Sequence, residues 1–238
     1  MIQTPEQWRK TTNFLEAKTT QNFGAKPSPV DPRDFRFAAF AGVHPLPERF
    51  DRQAEMPPVR NQGRLGTCVG HAAWAVKEWQ ERQQKDNPDC GLSPAFIYRA
   101  AKQIDGIPNE AGTYPRCALK VLHYYGDCPE QDDPYSALTS DVNLPPPTPT
   151  QIEKARPFKV AAYAKVSGIE EMKRAIVEQG PLLGALLVTE SFLEAKETIP
   201  MPAGRVLGFQ FLVGRLERAL LQAVWLEYRL FQFLVGRL

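Results

Sequence analysis

The 238-residue sequence predicts an α+β fold in two lobes, helical first and β-rich afterwards. Three observations carry that prediction. Between residues 68 and 126, three stretches repeat apolar residues at helical spacing. A proline-rich break, "NLPPPTPT" at 143–150, then divides the chain, and the segments beyond it alternate or run apolar as strands do. The length suffices for one large domain or two small lobes around a sizeable core.

Residues 1–20 read as a short polar helix, and "GAKPSPVDPRDF" after it as a proline-marked linker. Residues 1–34 are therefore set apart as an arm, either a propeptide-like segment or a docking extension. Residues 68–85 read as a helix whose Ala72, Ala73, Val76 and Trp79 form one apolar face. "LSPAFIYRAAKQ" (92–103) is a second helix, with Ser93 suited to the N-cap and Pro94 to the first turn. "RCALKVLHYYG" (116–126) is a third, stopped by Gly126. These helices place a helical lobe at 35–150. Residues 151–238 form the β-rich lobe: "FKVAAYAKV" (158–166) alternates like a strand, "GIEEMKRAIVEQG" (168–180) is an amphipathic helix, and "PLLGALLV" (181–188) is a strand.

The end of the chain is unusual. "FQFLVGRL" occurs at 209–216 and again, identically, at 231–238, around the helix-forming "ERALLQAVWLEYRL". Two copies do not make a solenoid, which needs about three or more units. Phe209, Phe211, Leu212, Val213, Leu216, Leu220, Val224 and Trp225 present much apolar surface with few charges. The 209–238 tail must bury it, either as part of the second lobe or by self-association with another chain, the former being preferred.

Composition excludes several functions. Net charge is +2, from 29 basic and 27 acidic residues, and no basic stripe carries interleaved aromatics, so a nucleic-acid partner is not expected. No uninterrupted apolar run of about 18 residues occurs, so no membrane-spanning helix is expected. "MIQTPEQWRKTTNF" lacks the apolar centre of a signal peptide, and a cytoplasmic setting is expected. The four cysteines, Cys68, Cys90, Cys117 and Cys128, form no CxxC pair and have no histidines at metal spacing. Neither zinc nor another cofactor is expected. The even count permits two disulfides, but free thiols are the favoured reading.

The chemistry concentrates in "NQGRLGTCVGHAAW" (61–74), a glycine-punctuated turn running into a helix with Cys68 at the junction. A thiol at a helix start meets unsatisfied N–H groups and the positive end of the macrodipole, which favour thiolate and can bring its pKa to roughly 3.5–7.5. Gly63 and Gly66 allow a tight turn and keep side chains away from an approaching substrate. The Gln62 amide can reach back over the thiol and, with the Cys68 N–H, form a two-donor hole for an acyl oxyanion. The competing interpretation is a small buried hydrophobe, the common fate of a lone cysteine.

At these residues the chain resembles the papain-like cysteine peptidases, in which Gln-Gly-x-x-Gly-x-Cys leads into a long central helix. "LSPAFIY", "GTYPRCALKVLHYYG", "DDPY", "GIEEMKRAIVEQGPLLGALLV" and the leader-like "DPRDFRF" are similar to family segments in the family's order, over about residues 30–207. The resemblance implies a papain-like fold with a cleft between a helical N-terminal lobe and a β-rich C-terminal lobe. It implies hydrolysis of peptide or protein substrates, with Cys68 as nucleophile and Gln62 as oxyanion donor. Gly112 and Thr113 would hold substrate backbone, and Tyr114 and Pro115 would line the specificity pocket. Leu65 stands where secreted members have a disulfide cysteine, which agrees with a reducing compartment.

One departure bears on activity. The family takes its general base from a second-lobe Gly-His-Ala and orients it with the Asn of Asn-Ser-Trp-Gly. This chain's histidines are His44, His71 and His123, all before the break, and no Asn follows Asn143. Gln210 falls about where the histidine belongs, where the duplicated tail begins. The sequence therefore predicts either an impaired peptidase or an inactive peptide-binding relative; a changed reading frame beyond Gly208 would account for the same facts. His71 shares a helix surface with Cys68, but a packing or hydrogen-bonding role is favoured over that of a base.

Overall fold

Helix α1, Cys68–Lys85, is the central element of a computed structural model that describes residues 23–39, 41–85, 91–189, 206–212 and 233–235. Its buried face carries Val69, Ala72, Ala73, Trp74, Val76 and Trp79. Helices α2 (Pro94–Lys102) and α3 (Pro115–Tyr124) pack against it. The α1–α2 crossing is close because Gly70 has no side chain: a Cβ there would lie 2.6 Å from the Pro94 carbonyl oxygen and 3.0 Å from Tyr98 Cβ. Ser93 caps α2 by accepting from the Phe96 amide at 3.1 Å, and Pro94 takes the first helical position, where a missing N–H costs nothing.

The proline-rich break ends in a fourth helix, α4 (Pro149–Ala155), which the proline content conceals. Thr148 and Gln151 form a capping box: the Thr148 side chain accepts from the Gln151 amide, and the Gln151 side chain accepts from the Thr148 amide. The strand expected at 158–166 is shorter than its alternation suggests. Arg156–Phe158 make a 3-10 turn, and only β1, Ala164–Val166, is extended and paired.

In the second lobe α5 (Ile169–Gln179) covers β1, and Phe37, Ala164, Val166, Met172, Ala175 and Leu182 share one apolar cluster. Strand β2 (Gly184–Thr189) pairs antiparallel with β3 (Val206–Leu212), from Gly184 opposite Leu212 to Thr189 opposite Val206. β1 pairs antiparallel with β4 (Phe233–Val235), with Ala164 opposite Val235. The duplicated octapeptide thus contributes to two different ladders: Phe209–Leu212 of the first copy end β3, and Phe233–Val235 of the second are β4. The expected helix at 1–20 and the segment between the copies lie outside the described residues. Among the described residues, no helix is long and apolar enough to cross a membrane.

The stretch 24–37 is bound to both lobes. Ala25 bridges Thr113 in parallel sense, Arg36 bridges Lys165, and Phe37 is buried in the β1–α5 cluster.

Candidate active site

Cys68 occupies the first position of α1, almost completely buried, and no acidic residue stands in the helix's first turn to oppose a thiolate. The preceding turn is held by its own hydrogen bonds. Asn61 Oδ1 accepts from the Gly63 amide at 2.8 Å, and the Gln62 side-chain amide donates to the Leu65 carbonyl at 2.9 Å. That bond fixes the Gln62 amide plane on the turn leading to the thiol.

A second layer involves Thr67, Tyr135 and His71. The Tyr135 hydroxyl donates to the Gln62 carbonyl at 2.7 Å and lies 2.7 Å from Thr67 Oγ1. A phenol has one proton, so Thr67 must be the donor in the second contact. Thr67 Oγ1, at 3.4 Å from His71 Nδ1, then has no proton left for the ring. Nδ1 must carry the proton and donate to the Thr67 carbonyl at 3.2 Å. The ring stands edge-on to Tyr135 at 4.5 Å, and Nε2 is buried with no hydrogen-bond partner. Burial lowers the His71 pKa to about 4, so the imidazole is neutral and weakly basic at pH 7. His71 braces the turn through its protonated Nδ1, which donates to Thr67, and its bare Nε2 has no hydrogen-bond partner. His123 lies elsewhere, with Nδ1 3.1 Å from the Val160 carbonyl, and His44 is an exposed loop residue whose carbonyl accepts from Arg174.

The segment Gly112–Pro115 lies beside this turn: a Cβ on Gly66 would come 3.3 Å from the Gly112 amide nitrogen. Gly112 sits at φ +82°, and a Cβ there would come 2.1 Å from the Gly24 carbonyl oxygen. The Thr113 amide donates to Gly24 at 2.9 Å and its carbonyl accepts from the Lys26 amide at 3.1 Å, so residues 24–26 lie along this edge as an extended peptide. A Cβ on Gly24 would meet the Gly66 carbonyl at 1.6 Å, so the arm packs against both segments. Ala25, Cys68, Val69, Leu119, Val160 and Leu183 share an apolar cluster that spans both lobes. Tyr114 stands at the N-cap position of α3 without a side-chain capping bond and packs against the Phe96–Val121 cluster, and Pro115 is buried as the first residue of α3.

The loop that presents Gly112 is built on a buried cation. Lys102 Nζ donates to the carbonyls of Ile107 (2.7 Å), Glu110 (2.8 Å) and Gly112 (3.1 Å) and lies 2.9 Å from Asp105 Oδ2. Asp105 also accepts from the Thr113 hydroxyl at 2.9 Å. The arm has its own anchor: the Arg116 guanidinium bonds both oxygens of Asp34 and the Pro29 carbonyl, and the Arg116 amide donates to Ser28 Oγ at 3.2 Å. Among the described residues no cluster of His, Cys, Asp and Glu could hold a metal ion. None of Cys68, Cys117 and Cys128 is in a disulfide.

Sequence reasoning did not find Tyr135, Lys102, Asp105, Tyr98 or Asp141. The tyrosines stand inside the quoted "DDPY" and "LSPAFIY" segments, where their spacing was visible and their hydroxyl partners were not.

The papain family cysteine protease model matches residues 46–204. An uncharacterized peptidase C1-like protein of Acanthamoeba polyphaga mimivirus is 28% identical over 148 residues, 58% of this chain and 47% of that protein. The chain thus spans about half the length of the curated relative it matches. Xylellain, a cysteine protease from Xylella fastidiosa, superposes with a TM-score of 0.67 at 24% identity, covering 82% of this chain and 79% of its own. ProCathepsin B S9 from Trypanosoma congolense gives 0.61 at 16% identity, covering 85% and 74%. At these identities the likeness to solved structures is one of fold.

Proposed function

The chain belongs to the papain family of cysteine proteases, and from that premise we propose a thiol peptidase of peptide or protein substrates whose nucleophile is Cys68. The observation that carries the reading is the pair of backbone hydrogen bonds in which the Thr113 amide donates to the Gly24 carbonyl and the Thr113 carbonyl accepts from the Lys26 amide. They support an edge that binds polypeptide backbone beside a thiol at a helix start. In this reading Cys68 Sγ attacks the scissile carbonyl carbon, and the oxyanion is received by the Cys68 N–H and the Gln62 amide. The C–N bond then breaks to leave a thioester and an amine, and water hydrolyses the thioester to the acid and free thiol. Gly112 and Thr113 hold the substrate backbone, and Tyr114 and Pro115 border the side-chain pocket. Residues 24–26 of the arm occupy the same edge and hold the enzyme in check.

The chain as it stands is a slow peptidase, because no histidine follows His123 and burial, which lowers its pKa to about 4, leaves His71 a weak base. That weak basicity also favours a second reading, a pseudopeptidase that binds peptides without cleaving them. The absence of a disulfide at Cys68, Cys117 and Cys128, together with Leu65, supports a reducing, cytoplasmic setting. Pairing of β3 and β4 within the chain supports burial of the tail in the second lobe over self-association.

Alkylation with iodoacetamide at mildly acidic pH tests the nucleophile. Burial pushes the Cys117 thiol up to about 11 and raises Cys128 as well, so both are protonated and slow. Cys68 is expected to label faster than Cys90, Cys117 and Cys128. Equal or slower labelling that persists in Arg116→Ala, where the arm is released, would remove it from the role.

A further inference from the structure

The turn 61–67 contains no cysteine, so noncovalent bonds alone must hold it against the substrate-binding edge. One short segment, Ser140–Asn143, reaches both. Asp141 Oδ2 accepts from the Gly66 amide at 2.6 Å, a charge-assisted bond two residues before Cys68. The Asp141 carbonyl accepts from the Tyr98 hydroxyl at 2.9 Å, and that hydroxyl accepts in turn from the Gly112 amide at 2.9 Å. Tyr98 is fully buried and its phenol is raised by that burial and by Asp141, so it keeps the proton that makes the donation. The Asn143 amide donates to the Pro108 carbonyl at 2.7 Å, tying the same segment to the loop before Gly112. Ser140 Oγ accepts from the Val142 amide at 3.1 Å and donates to the Val142 carbonyl at 3.0 Å, which closes the segment on itself around Asp141.

We propose that Asp141 is a positioning residue that ties together two neighbouring segments of the helical lobe, the nucleophile's turn and the substrate-binding edge, holding the Gly66 amide with its carboxylate and the Gly112 amide through Tyr98. The proposal rests on reading Cys68 as the thiol and Gly112–Thr113 as the peptide edge. Its physical content is a fixed separation between the nucleophile's turn and the backbone that aligns the scissile bond. The packing agrees: a Cβ on Gly66 would meet Asp141 Oδ2 at 3.1 Å and the Gly112 amide nitrogen at 3.3 Å, so the two segments touch where the clamp joins them. A displacement of about 1 Å in such a constellation can cost on the order of 10²-fold in rate, which makes the spacing worth fixing.

The test is residue-resolved amide exchange by NMR on the full chain, comparing wild type, Asp141→Ala and Asp141→Asn. In Asp141→Ala the Gly66 and Gly112 amides should both exchange about tenfold faster or more, while those of Ala72, Ala73 and Trp74 in α1 stay within about twofold. Asn keeps an oxygen that accepts from Gly66, so Asp141→Asn should restore both glycines to within about threefold of wild type. General loosening of the fold would instead accelerate the α1 amides and would not be rescued by Asn. Unchanged Gly112 exchange in Asp141→Ala, or an Asn variant as loose as Ala, overturns the clamp. Should iodoacetamide label Cys68 no faster than Cys117 in both wild type and Arg116→Ala, the thiol reading fails by itself, and the two glycine amides still decide the clamp.

Discussion

The Thr113 amide donates to the Gly24 carbonyl at 2.9 Å, one half of a backbone pair that the Lys26 amide completes at 3.1 Å. Such a pair is how a sheet edge accepts an added strand: main-chain bonds supply affinity whatever the side chains. Here the added strand comes from the same chain, so its effective concentration at the edge is of millimolar order or higher. An external peptide must displace it.

The arm should therefore be released by cutting its anchor. Arg116 and Asp34 are nearly buried, with side-chain exposures of 9% and 12%. Removing one partner of such a pair leaves an uncompensated charge, typically at a cost of about 3–5 kcal/mol. Undocking the arm avoids that cost by returning Asp34 to water. Arg116→Ala should raise the alkylation rate of Cys68 about tenfold or more and expose residues 27–33 to limited proteolysis. Unaltered labelling would mean that the arm does not control the thiol.

The Lys102 cation should matter more to the loop than any single carbonyl it touches. Lys102→Met leaves Asp105 buried and unpaired, and a loss of about 3–5 kcal/mol in unfolding free energy is expected from urea titration. Lys102→Arg keeps the charge but brings a planar fork to a site shaped for a compact ammonium, so it should rescue only in part. A Met variant as stable as wild type would show that the loop does not depend on the buried charge.

Stability should fall with acidification in a window set by His71. Its pKa is lowered from the usual 6.5 to about 4 in the folded chain, so between those values the unfolded chain binds more protons. Stability is thus intact above about pH 6.5 and declines as pH falls toward 4, by about 2–3 kcal/mol from this residue at the acid end. Asp127, raised by burial and by nearby Glu78, contributes the opposite slope, so the difference between two proteins is the informative quantity. His71→Gln, whose amide can still donate to Thr67, should show a shallower loss between pH 6.5 and 4.5. Identical slopes in the two proteins would remove His71 as the titrating group.

How much of this was legible in the sequence follows the range of the interactions. α1 begins at Cys68 and ends at Lys85 as its local spacing predicts, and Ser93 and Pro94 start α2, because caps and amphipathic faces act within a few residues. α4 was hidden because proline counts as a breaker in general and as a first-turn residue only beside a cap; Thr148 and Gln151 were the overlooked signal. The alternation over 158–166 overstated β1 because Pro157 and Phe158 turn the chain before any partner strand is reached. Asp141 had no local signal at all. Its amide partner is 75 residues away, and no period or spacing records such a pairing.

The last prediction separates slow peptidase from binding module. Attack by Cys68 needs only thiolate, which the helix start favours. Expulsion of an amine requires a proton, and hydrolysis of the thioester requires an activated water; the family's imidazole serves both. General acid–base help is typically worth about 10²–10⁴-fold, so amide turnover should be reduced by about that factor or more. An activated ester departs without a proton, so its acylation step is spared. Burst-phase release of an ester leaving group, of the order of one equivalent per Cys68, should precede slow turnover, and Cys68→Ala should abolish the burst. The matching fluorogenic amide should show scarcely any Cys68-dependent hydrolysis. Robust amide turnover would mean that some group other than a second-lobe histidine supplies the proton, with His71 Nε2, buried and unpartnered, the first to be substituted. Absence of the ester burst, with peptide still retained on the Thr113 edge, would leave the chain a binding module.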